Sequence, residues 1–301
     1  MMINDAIELI LAMKSGNTKK QYRSIIDIFE ESVGKPLNKV RAVEALAYFA
    51  RLKLAIAPDG KKYADKTILV HFHALHSVCE HLMALDYLKN NPLRAVKYAI
   101  SRRQQTQKRP TVLIPFSVVK KILEAPEGRG KKEIRDRAML SVLFGAGLRR
   151  SEAIALAVGD VKVSPKGVVY LELKNSKAGR RQVRVVAKFA RPYISRLISQ
   201  RKAEGADATD PLFVFYYASG KVRGRIDQLT LVRVFKKYCA IFGIKAAPHS
   251  ARATFATKLK SMGFSDRETA DALGHLTEEM VRVYDKRAKE VEDSPAIKLV
   301  Y

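Results

Sequence analysis

Residues 101–110 read Ser-Arg-Arg-Gln-Gln-Thr-Gln-Lys-Arg-Pro, a polar, basic run without periodicity. Such a run has no face that a helix or strand could bury, so it cannot belong to a core. Placed inside a chain of 301 residues, it divides the protein into two domains of ordinary size. We read residues 1–100 as the first domain, 101–112 as a basic linker, and 113–301 as the second domain, with a tail from about residue 286. The linker cations Arg102, Arg103, Lys108 and Arg109 suit contact with phosphates.

Ahead of the linker every apolar pattern is helical. Ile3 to Met13 is short and amphipathic, and Ser15-Gly16 breaks it. Thr18 is placed to cap the next helix, which carries Tyr22, Ile25, Ile26 and Phe29 and ends near Gly34-Lys35-Pro36. A third helix runs from Asn38 to Leu52. A fourth, Thr67 to Leu88, spaces Leu69, Phe72, Leu75, Val78, Leu82 and Leu85 as one face, and Asn90-Asn91-Pro92 ends it.

Behind the linker the patterns mix. Ser117 is placed to cap a helix that Pro126 stops, and Ile134 to Phe144 is apolar enough to be buried all round. Val168 to Leu173 and Gln182 to Val186 form a hairpin whose tip, Asn175 to Gly179, is polar. Helices follow over Phe189 to Ala203, Asp227 to Phe242 and Pro248 to Met262, with an extended segment at Pro211 to Tyr217. Ser265-Asp266-Arg267-Glu268 is a capping box, and Thr277 caps the helix that carries Tyr284. The fold class is therefore mostly α with a small antiparallel sheet.

The chain carries 56 Lys and Arg against 30 Asp and Glu, a formal net charge of +26, spread along its whole length. Folded surfaces of that charge suit a polyanion, with nucleic acid ahead of an anionic membrane. No apolar run approaches a membrane span, and the N-terminus, with Asp5 and Glu8, does not read as a signal peptide. Cys79 and Cys239 are far apart in helical patterns, which fits a reducing, cytoplasmic compartment rather than a disulfide framework. His71, His73, His76, Cys79 and His81 crowd one helix, but their spacing spreads them around it, so no metal site is expected.

Four short motifs carry chemistry. Gly147-Leu148-Arg149-Arg150-Ser151-Glu152 sets two arginines at a loop-to-helix junction, where a guanidinium fork can meet a phosphate and Glu152 can orient it. Ser176-Lys177-Ala178-Gly179 puts a lysine on the hairpin tip, with Lys174 as its competitor and Arg180 and Arg181 beside it. His249 and Arg252 share a helix face. Leu273-Gly274-His275 is followed nine residues later by Tyr284. Taken singly, a capped arginine pair or a turn lysine is ordinary surface.

Taken in order, the series resembles the tyrosine recombinase, or phage integrase, family. Thr18-x-x-x-Tyr22 with Phe29, and Asn91-Pro92, are similar to that family's N-terminal core-binding helices, so the resemblance covers essentially the whole chain. It implies a helical core-type DNA-binding domain and an α+β catalytic domain closing as a C-shaped clamp on double-stranded DNA. It further implies that Arg149 and Arg252 hold the scissile phosphate, Tyr284 is the nucleophile, and Lys177 is the general acid. His249 and His275 assist proton transfer and phosphate binding. Register after Gly-Leu favours Arg149 over Arg150, which joins Arg180, Arg181 and the linker cations as a DNA-binding candidate. The Ser-Lys-x-Gly turn favours Lys177 over Lys174.

The expected activity is site-specific strand exchange through a 3′-phosphotyrosyl link and a Holliday junction. Four subunits would act on two DNA sites, with tails exchanged between neighbours or folded back, and with no cofactor. A type IB topoisomerase or telomere resolvase would share the chemistry, and a non-catalytic architectural protein is the reading from another class. The sequence departs from the family at Ala251 and Ala253, where Leu and His are usual, and at Val183-Arg184-Val185, where Val-Pro-Leu is frequent.

Overall fold

The structure is a computed structural model and describes residues 3–56, 60, 62–100, 111–173 and 182–274. The chain divides into two compact units, Met1–Arg109 and Pro110–Tyr301. Each has its own core.

The first unit is helical among its described residues: α1 (Ile3–Ala12), α2 (Gly16–Val33), α3 (Ala42–Leu54), α4 (Asp65–Ala84) and α5 (Arg94–Ile100). Its core gathers the apolar stripes of these helices, among them Ile7, Leu11, Ile26, Phe29, Phe49, Leu75 and Leu82. Helix α2 begins before Thr18, with Ser15 at the N-cap in extended geometry and the two hydroxyls 2.9 Å apart. Helix α4 ends at Ala84, and α5 follows the Asn91 turn, in which the Asn91 side chain accepts from Leu93 N–H and donates to Glu80. The α4 histidines have protein partners. His71 is buried with its Nδ1 2.8 Å from the Tyr48 hydroxyl, His76 lies 3.7 Å from Glu80, and His81 meets the Ser77 carbonyl at 2.6 Å.

The second unit is built around α7 (Lys131–Gly145), which is buried along every residue from Ala138 to Gly145. Against it pack α6 (Phe116–Glu124), α8 (Arg150–Ala155), α9 (Arg191–Ala203), α10 (Gln228–Ala240) and α11 (Pro248–Ser261). Helix α12 (Asp266–Leu273) rests on α11 through a small cluster of Ala253, Ala256 and Leu273. Ser117 lies inside the first turn of α6, with Pro115 at the cap. The capping box forms on α12, where Ser265 Oγ accepts from Glu268 N–H and Glu268 accepts from Ser265 N–H at 2.8 Å.

Two antiparallel sheets complete the unit. The hairpin of β2 (Val169–Leu173) and β3 (Gln182–Val185) is joined by β1 (Val161–Val163), giving the order β1-β2-β3. Strand β1 has only three residues, too few for alternation to mark it in the sequence. A second hairpin pairs β4 (Val214–Tyr216) with β5 (Val222–Arg225). Strand β2 alternates as expected, burying Val169, Leu171 and Leu173. Strand β3 inverts the pattern: Val183 and Val185 are exposed, and the buried position is Arg184.

Candidate active site

The site is assembled where α7 ends. Gly145 to Leu148 turn the chain out of α7 and into α8, and Gly147 takes a left-handed φ of 58°. A Cβ at Gly147 would stand 2.8 Å from Leu273 and 2.9 Å from Phe255, so both conformation and space require glycine there. The turn delivers Arg149 to the N-cap of α8, one turn ahead of Glu152. Glu152 Oε2 accepts the Arg149 backbone N–H at 2.7 Å, and Oε1 accepts the Arg149 guanidinium at 2.5 Å. The carboxylate, near the helix N-terminus and nearly buried, thus fixes the arginine fork by two bonds.

Arg252 enters from α11 and is fully buried. Its guanidinium donates to the Gly147 carbonyl and, at 2.7 Å, to the Leu273 carbonyl. It also lies 3.9 Å from Glu152. One carboxylate is therefore shared by two arginines that come from different helices. Ala251 and Ala253 flank Arg252 and are both completely enclosed. On the same helix, Thr254 accepts the Ile114 N–H at 3.0 Å and anchors the start of the unit.

His249 stands one turn before Arg252. It is exposed by area, yet its ring is crowded by protein. That partial burial, then the charges of Arg252 and Arg149, push its pKa below the ordinary histidine value. A cleft of about 470 Å³ opens here, lined by Arg149, Arg150, Ser151, Lys236, Pro248 and His249. Arg150 and Lys236 are exposed on its wall. The arrangement offers an anion at the cleft the Arg149 guanidinium held in place, an imidazole whose pKa is lowered, and further cations at the rim, with the enclosed Arg252 3.9 Å from the carboxylate that orients Arg149.

Of the sequence-predicted residues, the structure brings together Arg149, Glu152, His249 and Arg252, with Arg150 at the cleft. Lys177, its competitor Lys174, Arg180, Arg181, His275, Tyr284, the tail from 286, and the linker residues Arg102, Arg103, Lys108 and Arg109 lie outside the described residues. One residue of the cleft had no motif to announce it. Lys236 sits in an unremarkable stretch of α10. Arg184 had a signal in the sequence, being a charged residue between two valines in a strand, but only register shows that it points inward.

Residues 113–290 match the model of the phage integrase family. Across 277 residues the chain is 28% identical to the tyrosine recombinase XerC of Herpetosiphon aurantiacus, covering 90% of this chain and 84% of that protein. It is 27% identical over 285 residues to the tyrosine recombinase XerA of Pyrococcus furiosus, covering 93% of this chain and 87% of that protein. Its fold is similar to a structure of the Tn1549 transposon integrase in complex with circular intermediate DNA. There the TM-score is 0.67 at 21% identity, over 96% of this chain and 95% of that one.

Proposed function

The chain belongs to the phage integrase family, and from that premise we propose that it is a site-specific recombinase that cuts and rejoins double-stranded DNA. The observation that carries the reading is the sharing of Glu152 between Arg149 and Arg252 at the edge of a cleft that also holds His249. Two guanidiniums so fixed can bind both non-bridging oxygens of a phosphodiester and stabilise the charge that grows on them as a fifth oxygen approaches phosphorus. Each is held in place before substrate arrives, so little reorganisation remains for the reaction itself.

In this mechanism the Tyr284 phenol oxygen attacks phosphorus. A 3′-phosphotyrosyl bond forms, the bond from phosphorus to the 5′-oxygen breaks, and Lys177 supplies the proton that the leaving oxygen takes up. His249, neutral in the free protein, accepts the phenol proton, and His275 hydrogen-bonds the phosphate. Reversal with the 5′-hydroxyl of another strand releases the tyrosine and reseals DNA. The energy of the phosphodiester is conserved in the covalent link, so two such exchanges pass through a Holliday junction without a nucleotide cofactor.

Four subunits on two sites complete the assembly, with each C-terminal tail donated to a neighbour. An apolar groove of about 450 Å³ between α6, α9 and α11, where Phe116, Phe189 and Met262 are exposed, would offer such a tail a seat. The apolar tip of the tail, Pro295-Ala296-Ile297-Lys298-Leu299-Val300-Tyr301, has the chemistry to fill it.

Covalent DNA–protein adducts captured from cells and sequenced at their attached ends would reveal the site. On a nicked suicide substrate built from it, wild type should accumulate adduct and Tyr284→Phe should form none. An adduct with Tyr284→Phe would assign the nucleophile elsewhere. Relaxation of supercoils without that site would mark a topoisomerase, and absence of any wild-type adduct would mark a non-catalytic DNA-binding protein.

A further inference from the structure

Arg184 has no task in the mechanism above, yet it is among the largest fully enclosed side chains of the chain, with 2% of its surface exposed. It occupies the inward position of β3, opposite Leu171 on β2, where the pleat calls for an apolar residue. Among the described residues its guanidinium donates only to its own strand, to the Val183 carbonyl at 3.1 Å and to Gln182 Oε1 at 2.7 Å. Neither acceptor is charged, and its Nε is buried with no hydrogen-bond partner. Among the described residues no carboxylate forms an ion pair with it. A cation taken out of water without a counter-ion is a cost that packing alone does not offset.

Its position says what could balance the charge. The guanidinium lies over Gly274, so closely that a Cβ there would come within 1.8 Å of a terminal nitrogen. Gly274 caps α12 with a φ of 59°, directly after Leu273, whose carbonyl Arg252 holds at 2.7 Å. Arg184 and Arg252 therefore meet at one corner. Burial pushes the Arg184 pKa down, and Glu152 and Arg149 are the charged groups that act on it, in opposite senses. Among the described residues, Glu152 pairs with Arg149, lies 3.9 Å from Arg252 and acts by its charge on Arg184, so three guanidiniums bear on one carboxylate.

We propose that Arg184 is a third guanidinium of the anion site, which with Arg149 and Arg252 receives a phosphate group, the scissile phosphate when DNA is bound. Gly274 is the matching half of the device, because any side chain there would displace the guanidinium. The identity of the phosphate rests on the strand-exchange reading; the anion site itself does not.

The test uses the full chain with Arg184→Met, which keeps the length and removes the charge, and Arg184→Lys, which keeps the charge. Melting is followed in chloride and in inorganic phosphate at constant ionic strength. Phosphate should raise the wild-type Tm, should raise that of Arg184→Lys in part, and should leave Arg184→Met nearly unmoved. In chloride, relief of the unpaired cation should make Arg184→Met melt higher than wild type, on the order of 2–4 °C. An undiminished phosphate shift in Arg184→Met would overturn the anion site and leave Arg184 a packing strut. On the cognate suicide substrate, adduct formation should slow at least tenfold in Arg184→Met and recover partly in Arg184→Lys. An unchanged adduct rate beside a lost phosphate shift would overturn the assignment to the scissile phosphate. A wild type that forms no adduct but keeps the Arg184-dependent phosphate shift would instead count against the recombinase reading alone.

Discussion

Glu152 is the smallest part of the site that organises anything else. It receives the backbone and guanidinium of Arg149 and stands 3.9 Å from Arg252, so one carboxylate sets the direction of two forks. Partial burial first, and then the charges of Arg252 and Arg149, act on His249. Because its folded pKa lies below the ordinary value of 6.5, the folded state binds fewer protons there than the unfolded chain. The stability linked to the neutral imidazole is full above about 6.5 and drains as pH falls below it toward the folded pKa. His71 and His76 are depressed as well, both first by burial, and add in the same direction. The free protein should therefore melt at lower temperature as pH is taken from 7.5 to about 5.5. NMR titration should place His249 below a free histidine, and phosphate should move it back up by offsetting the arginines. A His249 titrating at or above the ordinary value without phosphate would contradict this geometry.

At the scale of elements, the turn between α7 and α8 matters more than either helix. Gly147 must be glycine, its carbonyl accepts from Arg252, and its neighbours Leu273 and Phe255 belong to α12 and α11. Four helices are thereby fixed to one another at the point where the cations converge. The groove between α6, α9 and α11 is the complementary case, an apolar face that the described residues leave uncovered. Phe189, 50% exposed, can be changed there with little effect on the fold. Phe189→Glu should leave binding of one subunit to DNA within about twofold, since the charge it adds is a single one. It should prevent the larger DNA-bound assembly from forming, as read by analytical ultracentrifugation, because a carboxylate cannot be seated against apolar side chains. An unchanged assembly would place the tail elsewhere.

The molecule as a whole carries a formal charge of +26 and contains two units, each with a core of its own. Among the described residues no helix is long and apolar enough to cross a membrane. Cys79 and Cys239 are free and buried, with burial pushing the thiols up to about 12 and about 11. A protein that meets DNA through so many cations must displace condensed counter-ions. Its affinity should fall on the order of a thousandfold or more between 50 and 200 mM salt, a slope that a fluorescence-anisotropy titration would read. A flat response would mean that few of these charges touch phosphate.

Much of this protein is written in local order. The helical stripes of the first unit, the hairpin of β2 and β3, the Ser265 capping box and the Gly-Leu-Arg-x-Ser-Glu and His-x-x-Arg motifs depend on near neighbours, so spacing alone exposes them. Local order fell short at two places: Ser15, not Thr18, holds the N-cap position of α2, and three residues of β1 are too few to show a period. What only tertiary structure decided is which charges share an environment. Arg149 and Arg252 meet at Glu152 because a glycine turn lets α11 and α12 approach α7. Arg184 turns inward because pairing with β2 fixes its register, and a one-residue slip would have sent it to solvent. Burial, and with it the need for a counter-ion, is a property of that packing rather than of any motif.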